Sequence, residues 1–298
     1  MIERTSEEPK LRVIRRVREL ASHREILLNL VRKELKVKYA SSVLGAVWSL
    51  LNPLVFLAVF SFVVIVTGNP MPHYPVYLLS GLLAWNLFNN SLLQGARSVV
   101  DNASLVKKVY FPREILPLAS IGVTLVDFVL QSAVLLVFML VTGYDFHLHA
   151  AWMYPLAFLT LLVFTLAVTL WVAGLNVRYR DVQHLLNLGL LVWFWLTPIV
   201  YQGALVQKDL TERSEVLWNL FWLNPLVTVV SGFQRALYAV VTPSIAVADG
   251  IVPVRVLPDV SLSWLAGVLI AVLAGSLLLL AATWRLFFRL SGDFAEEL

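Results

Sequence analysis

Few side chains in this 298-residue chain are placed to do chemistry, and each points to a reaction that can be weighed. Asp127 is the single clear ionisable residue deep inside a long apolar run, with Gln131 one turn further on. A carboxylate at mid-membrane costs about 2.5–3.5 kcal/mol on insertion scales, so Asp127 must face protein or carry a proton. It would act as interhelical glue, as part of a substrate path, or as a proton-coupling group, for which one acid without a relay is weak support. His147 and His149, two apart, would share one face of an extended segment, but a metal site needs a third ligand, so no metal is expected. Asp209, Glu212 and Glu215 read as a solvated loop rather than the paired acids of glycosyl chemistry. No glycine begins a G-x-x-x-x-G-K-[ST] phosphate loop, so ATP hydrolysis must come from another polypeptide. With no cysteine there is no thiol chemistry either. The chain is expected to have no catalytic residue and no cofactor of its own.

Aromatic side chains carry more information. Trp48, Asn52, Phe56 and Phe60 follow one another at i+4 steps, and so do Trp193, Thr197 and Tyr201. On a helix each set forms one inclined stripe of flat faces and polar tips. Such stripes either stack against sugar rings or pack helix against helix. Trp48, Trp152, Trp171, Trp264 and Trp284 fall near the ends of apolar runs, where an indole suits the headgroup boundary.

The elements that must hold these residues are set by composition. The chain is 59% hydrophobic and 14% charged, with mean hydropathy +0.79, whereas a soluble domain carries about 25% charge. Six apolar runs are long enough to span a bilayer as helices, at about 43–67, 76–96, 115–142, 151–175, 185–204 and 264–288. An all-α, multi-pass membrane protein is therefore expected. The connections 68–75 and 143–150 contain no Lys or Arg. Residues 1–42, 97–114, 176–184 and the C-terminal end together hold 19 of the 23 basic residues, which makes that side cytoplasmic and puts both termini there. There is no signal-peptide pattern at the N-terminus, and the interleaved acids there argue against nucleic-acid binding.

Two segments break the simple alternation. Residues 24–38 place Ile26, Leu27, Leu30, Val31 and Leu35 on one face and Arg24, Arg32, Lys33 and Lys36 on the rest, the pattern of an interfacial helix or of a helix packed on a partner. Residues 216–230 are apolar and aromatic, carry Trp218 and Trp222, and are broken at Asn224-Pro225. Each half is too short to span, so a re-entrant hairpin or a pair lying on the outer surface fits. The organisation expected is a cytoplasmic segment over 1–42, a transmembrane region over 43–290 and a cytoplasmic tail over 291–298.

The run Tyr39 to Trp48, continuing to Asn52-Pro53, resembles the start of the first membrane helix in type 2 ATP-binding cassette permeases that export polysaccharides, O-antigens and teichoic acids. Segments 106–117, Asn176 to Asp181, Phe194 to Tyr201 and Leu223 to Leu226 resemble that family's first and second cytoplasmic loops, fifth helix and re-entrant hairpin. The resemblance implies a homodimer with two copies of a separate ATPase that holds ATP and magnesium, exporting a lipid-linked glycan across the inner membrane. It also implies that Lys107, Lys108, Phe111, Pro112, Arg113 and Glu114 lie against that ATPase. The conduit would be lined by helices one and five, with Trp48, Asn52, Phe56, Phe60, Trp193, Thr197 and Tyr201 on the path. The alternatives are a drug or small-lipid exporter of the same superfamily and a membrane-embedded glycosyltransferase. The connection 238–263 is longer than the resemblance implies.

Overall fold

A computed structural model of the chain describes residues 13–40, 48–66, 71–146, 148–239, 244–247 and 250–298. Two helices come first, α1 (Val13–Ser22) and α2 (Arg24–Ala40). Then follow α3 (Trp48–Val66), α4 (Tyr74–Asp101), α5 (Ala103–Lys108), α6 (Ile115–Val141), α7 (Leu148–Ala151) and α8 (Met153–Arg178). The second half holds α9 (Val182–Trp195), α10 (Gly203–Arg213), α11 (Glu215–Trp222) and α12 (Pro225–Leu237). A two-stranded antiparallel hairpin, β1 (Ser244–Val247) and β2 (Gly250–Pro253), precedes α13 (Leu262–Leu290) and α14 (Phe294–Glu297). Among the described residues the regular structure is helical apart from that hairpin, which lies in the long connection whose structure the sequence left open. α1 and α10 were also not anticipated.

The bundle is built around α4, whose side chains are buried along most of its length. Phe88 stacks on Phe164 of α8, and Asn176 of α8 donates to the Ala96 carbonyl, so α4 and α8 run in the same direction. They approach closely because position 95 is glycine: a Cβ there would overlap the Thr169 methyl group. α6 runs the other way, with Asn86 donating to Gln131 (3.1 Å) and the Ser91 and Thr124 hydroxyls 2.6 Å apart. Such pairs satisfy buried polar groups where water is excluded. α13 lies along α8, with Gly174 against Phe287 and Leu290.

Among the described residues three helices are long and apolar enough to cross a membrane: Ile115–Val141, the Leu148–Arg178 stretch and Leu262–Leu290. A fourth qualifies if the pair Glu215–Trp222 and Pro225–Leu237, bent by 80°, is one broken span. The expected six spans exceed what length and composition alone give among the described residues, where α4 carries many polar residues and the apolar helices Leu51–Val66 and Val182–Trp195 are short. α2 forms over the expected residues, but its apolar face is packed: Leu30 is buried, and a Cβ on Gly122 of α6 would lie 2.7 Å from a Val31 methyl. Arg24, Arg32, Lys33 and Lys36 remain exposed on the other face.

Candidate functional site

On one side of α4, helices α3 and α9 leave a cleft of about 540 Å3 between them. α3 contributes Val55, Phe56, Val59 and Phe60, α4 contributes Trp85 and Asn89, and α9 contributes Asn187, Leu190, Leu191, Phe194 and Trp195. The ring edges are interlocked. Phe56 lies 5.8 Å from Phe60 and meets Phe194 edge-on at 5.9 Å, while Phe60 meets Trp195 edge-on at 6.4 Å. Trp85 backs Phe194 at 5.2 Å. These geometries are the offset and edge-to-face arrangements that aromatic quadrupoles favour. Trp195 stays 52% exposed, so its face is available to whatever enters.

The cleft takes Phe56 and Phe60 from the first stripe, whereas Asn52 is exposed outside it and the Trp48 side chain lies outside the described residues. The second stripe does not exist as a stripe. α9 ends at Trp195 instead of running to 204, because Pro198 cannot donate to the ladder and its ring disfavours helical backbone at Thr197. Trp193 turns into the bundle between Phe88 and Phe164, and its indole donates to Asn224 (2.8 Å). Thr197 is fully buried, and Tyr201 folds back to donate to the Trp195 carbonyl (2.8 Å). The unwound stretch is held by its neighbours. Tyr77 Oη lies between the carbonyls of Tyr201 (2.7 Å) and Pro198 (3.2 Å), Gln234 donates to Pro198 (3.0 Å), and Tyr74 donates to Val200 (3.0 Å). Irregular backbone at this depth survives only with such partners.

Asn224 joins the cleft to the bent pair. Its side chain caps α12 by accepting from Leu226 N (3.1 Å) and also accepts from Trp193, with Pro225 at the first turn, where a missing N–H costs nothing. Trp218 stacks on Phe221 and meets Trp222 edge-on, and buried Trp222 packs on Trp264 of α13. α9, α11, α12 and α13 are thereby locked to one another around this corner.

At the opposite end the segment 107–114 is divided by burial. Lys107, Lys108, Val109 and Tyr110 are exposed, Tyr110 by 89%. Phe111, Pro112 and Glu114 point inward. Glu114 accepts from Arg16 of α1 at both oxygens (2.8 and 2.7 Å) and from the Trp284 indole of α13 (3.1 Å). Burial by itself would lower the Arg16 guanidinium, but hydrogen bonds and charge from Glu114 and Glu19 outweigh it and raise the pKa above its ordinary value. Arg16 also covers the Phe288 ring (5.0 Å), and Arg113 lies 5.9 Å from the Phe294 ring centre. Half of the expected docking residues are thus internal struts, and what remains outward is a basic turn ending in one exposed aromatic ring.

Residues 26–238 match the family model described as ABC-2 type transporter. The chain is 36% identical over 231 residues to the O-antigen export system permease protein RfbA of Myxococcus xanthus, covering 76% of this chain and 85% of that one. Two proteins of the same name from Klebsiella pneumoniae are 31% and 30% identical over 211 and 212 residues, covering 70% and 71% of this chain and 79% of each of theirs. The chain belongs to the ABC-2 type transporter family.

As a member of that family it is a multi-pass membrane transport subunit. The ABC-2 match contains the whole cleft, the bent pair up to Tyr238 and the loop 107–114, while Arg16 and Trp284, which fix that loop, lie outside it. Asp127 is the site residue whose partners sequence reasoning missed. Lys38 Nζ lies 2.5 Å from one oxygen and Tyr39 Oη 2.6 Å from the other, both supplied by the end of α2. The aspartate is buried and Lys38 is 34% exposed. The signal was present, since Lys38-Tyr39 follows the amphipathic face, but nothing in the sequence aligned α2 with α6. Asp209 pairs with Arg213 at the surface (3.1 Å). Among the described residues no cluster of His, Asp and Glu could hold a metal, and His147 lies outside them.

Proposed function

We propose that this chain is the permease half of an ATP-driven exporter that moves a lipid-linked polysaccharide of the O-antigen class outward across the inner membrane. Two copies face each other through α3 and α9, so that their aromatic clefts border one path, and two separate ATPase subunits with ATP and magnesium dock beneath. The observation that carries this reading is the open aromatic cleft, in a family member whose relatives bear the name O-antigen export permease. An exporter of small apolar molecules would have no use for polar amides at such a cleft, and a glycosyltransferase would need converging carboxylates.

The mechanism follows from mounting. Lys107, Lys108 and Tyr110 form the outward tip toward the ATPase, and the Glu114 node ties that tip to α1 and α13, so a push on the tip moves a rigid unit. Trp193 and Asn224 link the cleft helix to the bent pair at the other face. Helices α3, α4, α6, α8, α9 with its unwound continuation, and α13 are the six crossings, and α2 lies on the cytoplasmic side.

Two measurements test these statements. The absence of cysteine allows single-cysteine labelling in a clean background. Positions 69, 147 and 248 should label from outside and Ser104 and Asp181 from inside, and outside labelling at Ser104 would reverse the orientation. Purified chain without its partner should hydrolyse no ATP, whereas the co-purified complex should hydrolyse it faster when lipid-linked O-antigen is added. Hydrolysis by the isolated chain would end the half-transporter reading.

A further inference from the structure

The cleft has a chemical bias that its aromatic content alone does not express. We infer that it is built for uncharged sugar units, with Asn89 and Asn187 as the groups that grip their hydroxyls. This rests on the export reading above and narrows its substrate from polysaccharide in general to neutral polysaccharide.

The argument starts from the lining. Apart from the indoles of Trp85 and Trp195, its polar side chains among the described residues are two amides, on helices that flank the cleft from two sides, and the described lining includes no Lys, Arg, His, Asp or Glu. Asn89 stands one helical turn beyond Trp85 on α4, and Asn187 stands two turns before Phe194 on α9. Each amide therefore shares a helical face with an aromatic ring of the same helix. Asn187 uses one N–H on the Gln183 carbonyl (2.9 Å), and Asn89 uses one on Asn90 (3.3 Å). A primary amide has a second N–H and a carbonyl oxygen with two lone pairs, so both side chains retain donor and acceptor capacity. Vicinal hydroxyls on a pyranose ring offer the same pair of functions at matching spacing, while the C–H face of the ring is apolar and suits Trp195 or Phe60. A mostly apolar pocket with few polar groups is the usual plan of a site that orients a ligand through hydrogen bonds.

Phosphodiester or uronate units fit poorly. A charge brought into this apolar cleft loses water and gains no cation, and such burial is costly unless the charge is paired. Amides can donate to a phosphate oxygen but cannot neutralise it. Neutral units also satisfy the demand of a conduction path, weak grip followed by release, because each contact is a single net hydrogen bond or a ring face.

The test uses the permease with its ATPase in lipid nanodiscs and two probes on the same lipid carrier and of matched length: a neutral galactan and a polymer with one phosphodiester per repeat. The galactan should raise ATP hydrolysis, and the phosphate polymer should give no more than about a tenth of that increment. Asn89→Leu with Asn187→Leu keeps side-chain bulk and should cut the galactan increment about fivefold to tenfold. Asn187→Arg, at an exposed position that tolerates the change, should raise the phosphate polymer's increment several-fold. Equal stimulation of the unaltered complex by both polymers would overturn the inference and leave the export reading intact. So would an unchanged galactan increment in the double variant. If neither polymer stimulates the unaltered complex, the export reading itself fails, and this inference with it.

Discussion

Replacing Glu114 with alanine will destabilise the end of the bundle where α1 meets α13 by about 3 kcal/mol, the scale of removing one partner from a buried ion pair. Glu114 is 1% exposed and the Arg16 side chain 14%, so the guanidinium is left with Glu19 alone (2.8 Å) and has little access to water in place of the lost carboxylate. The Trp284 indole loses its acceptor at the same time. The expected results are a lower unfolding midpoint in detergent and faster proteolysis within α1. Glu114→Gln keeps an acceptor for Trp284 and loses the charge, so it should fall between the alanine variant and the unaltered protein. An unchanged cleavage pattern in Glu114→Ala would mean that α1 is held by its apolar contacts and that the ion pair is incidental.

The second large effect is asymmetric. Lys38→Met leaves the buried Asp127 without its cation and should cost about 3 kcal/mol, while Asp127→Leu should cost less, because the one-third exposed Lys38 can turn toward water. Changing both at once should return most of the loss, since an apolar pair of similar volume needs no solvation. Tyr39, which donates to the same carboxylate, loses its acceptor whenever Asp127 is replaced, so recovery should be incomplete. Unfolding midpoints of the three variants form a double-mutant cycle. Additive losses across that cycle would show that Lys38 and Asp127 act independently.

These two clusters show where sequence information stops. The long apolar helices were legible because hydropathy acts on each segment separately: 115–142 was expected against Ile115–Val141, and 264–288 against Leu262–Leu290. The break at Asn224-Pro225 was also legible, since proline chemistry is local. Helix five was misjudged for a local reason too, because hydropathy stays high through Phe194 to Tyr201 while Pro198 ends the helix near Trp195. The orientation of Trp193 was beyond reach. Its i+4 relation to Thr197 and Tyr201 says which residues would share a helical face, and nothing about whether that face meets the cleft or α4 and α8. Phe194 and Trp195, whose rings reach the cleft beside Phe56 and Phe60, stand one and two positions past Trp193 and so off its stripe. The pairings of Arg16 with Glu114 and of Lys38 with Asp127 join residues roughly ninety positions apart, where no periodicity carries information.

The Glu114 node also has an order in time. Translation delivers Arg16 first, Glu114 later and Trp284 last, so the three can meet only once α13 has been made. Until α13 arrives, Phe287 is also missing from the apolar cluster beneath the loop, and α14 has not yet placed Phe294 beside Arg113. A nascent chain therefore presents an unfinished face at this corner until α13 is in place. Chains cut short before residue 284 keep it permanently, with an exposed apolar seam that a membrane protease can recognise.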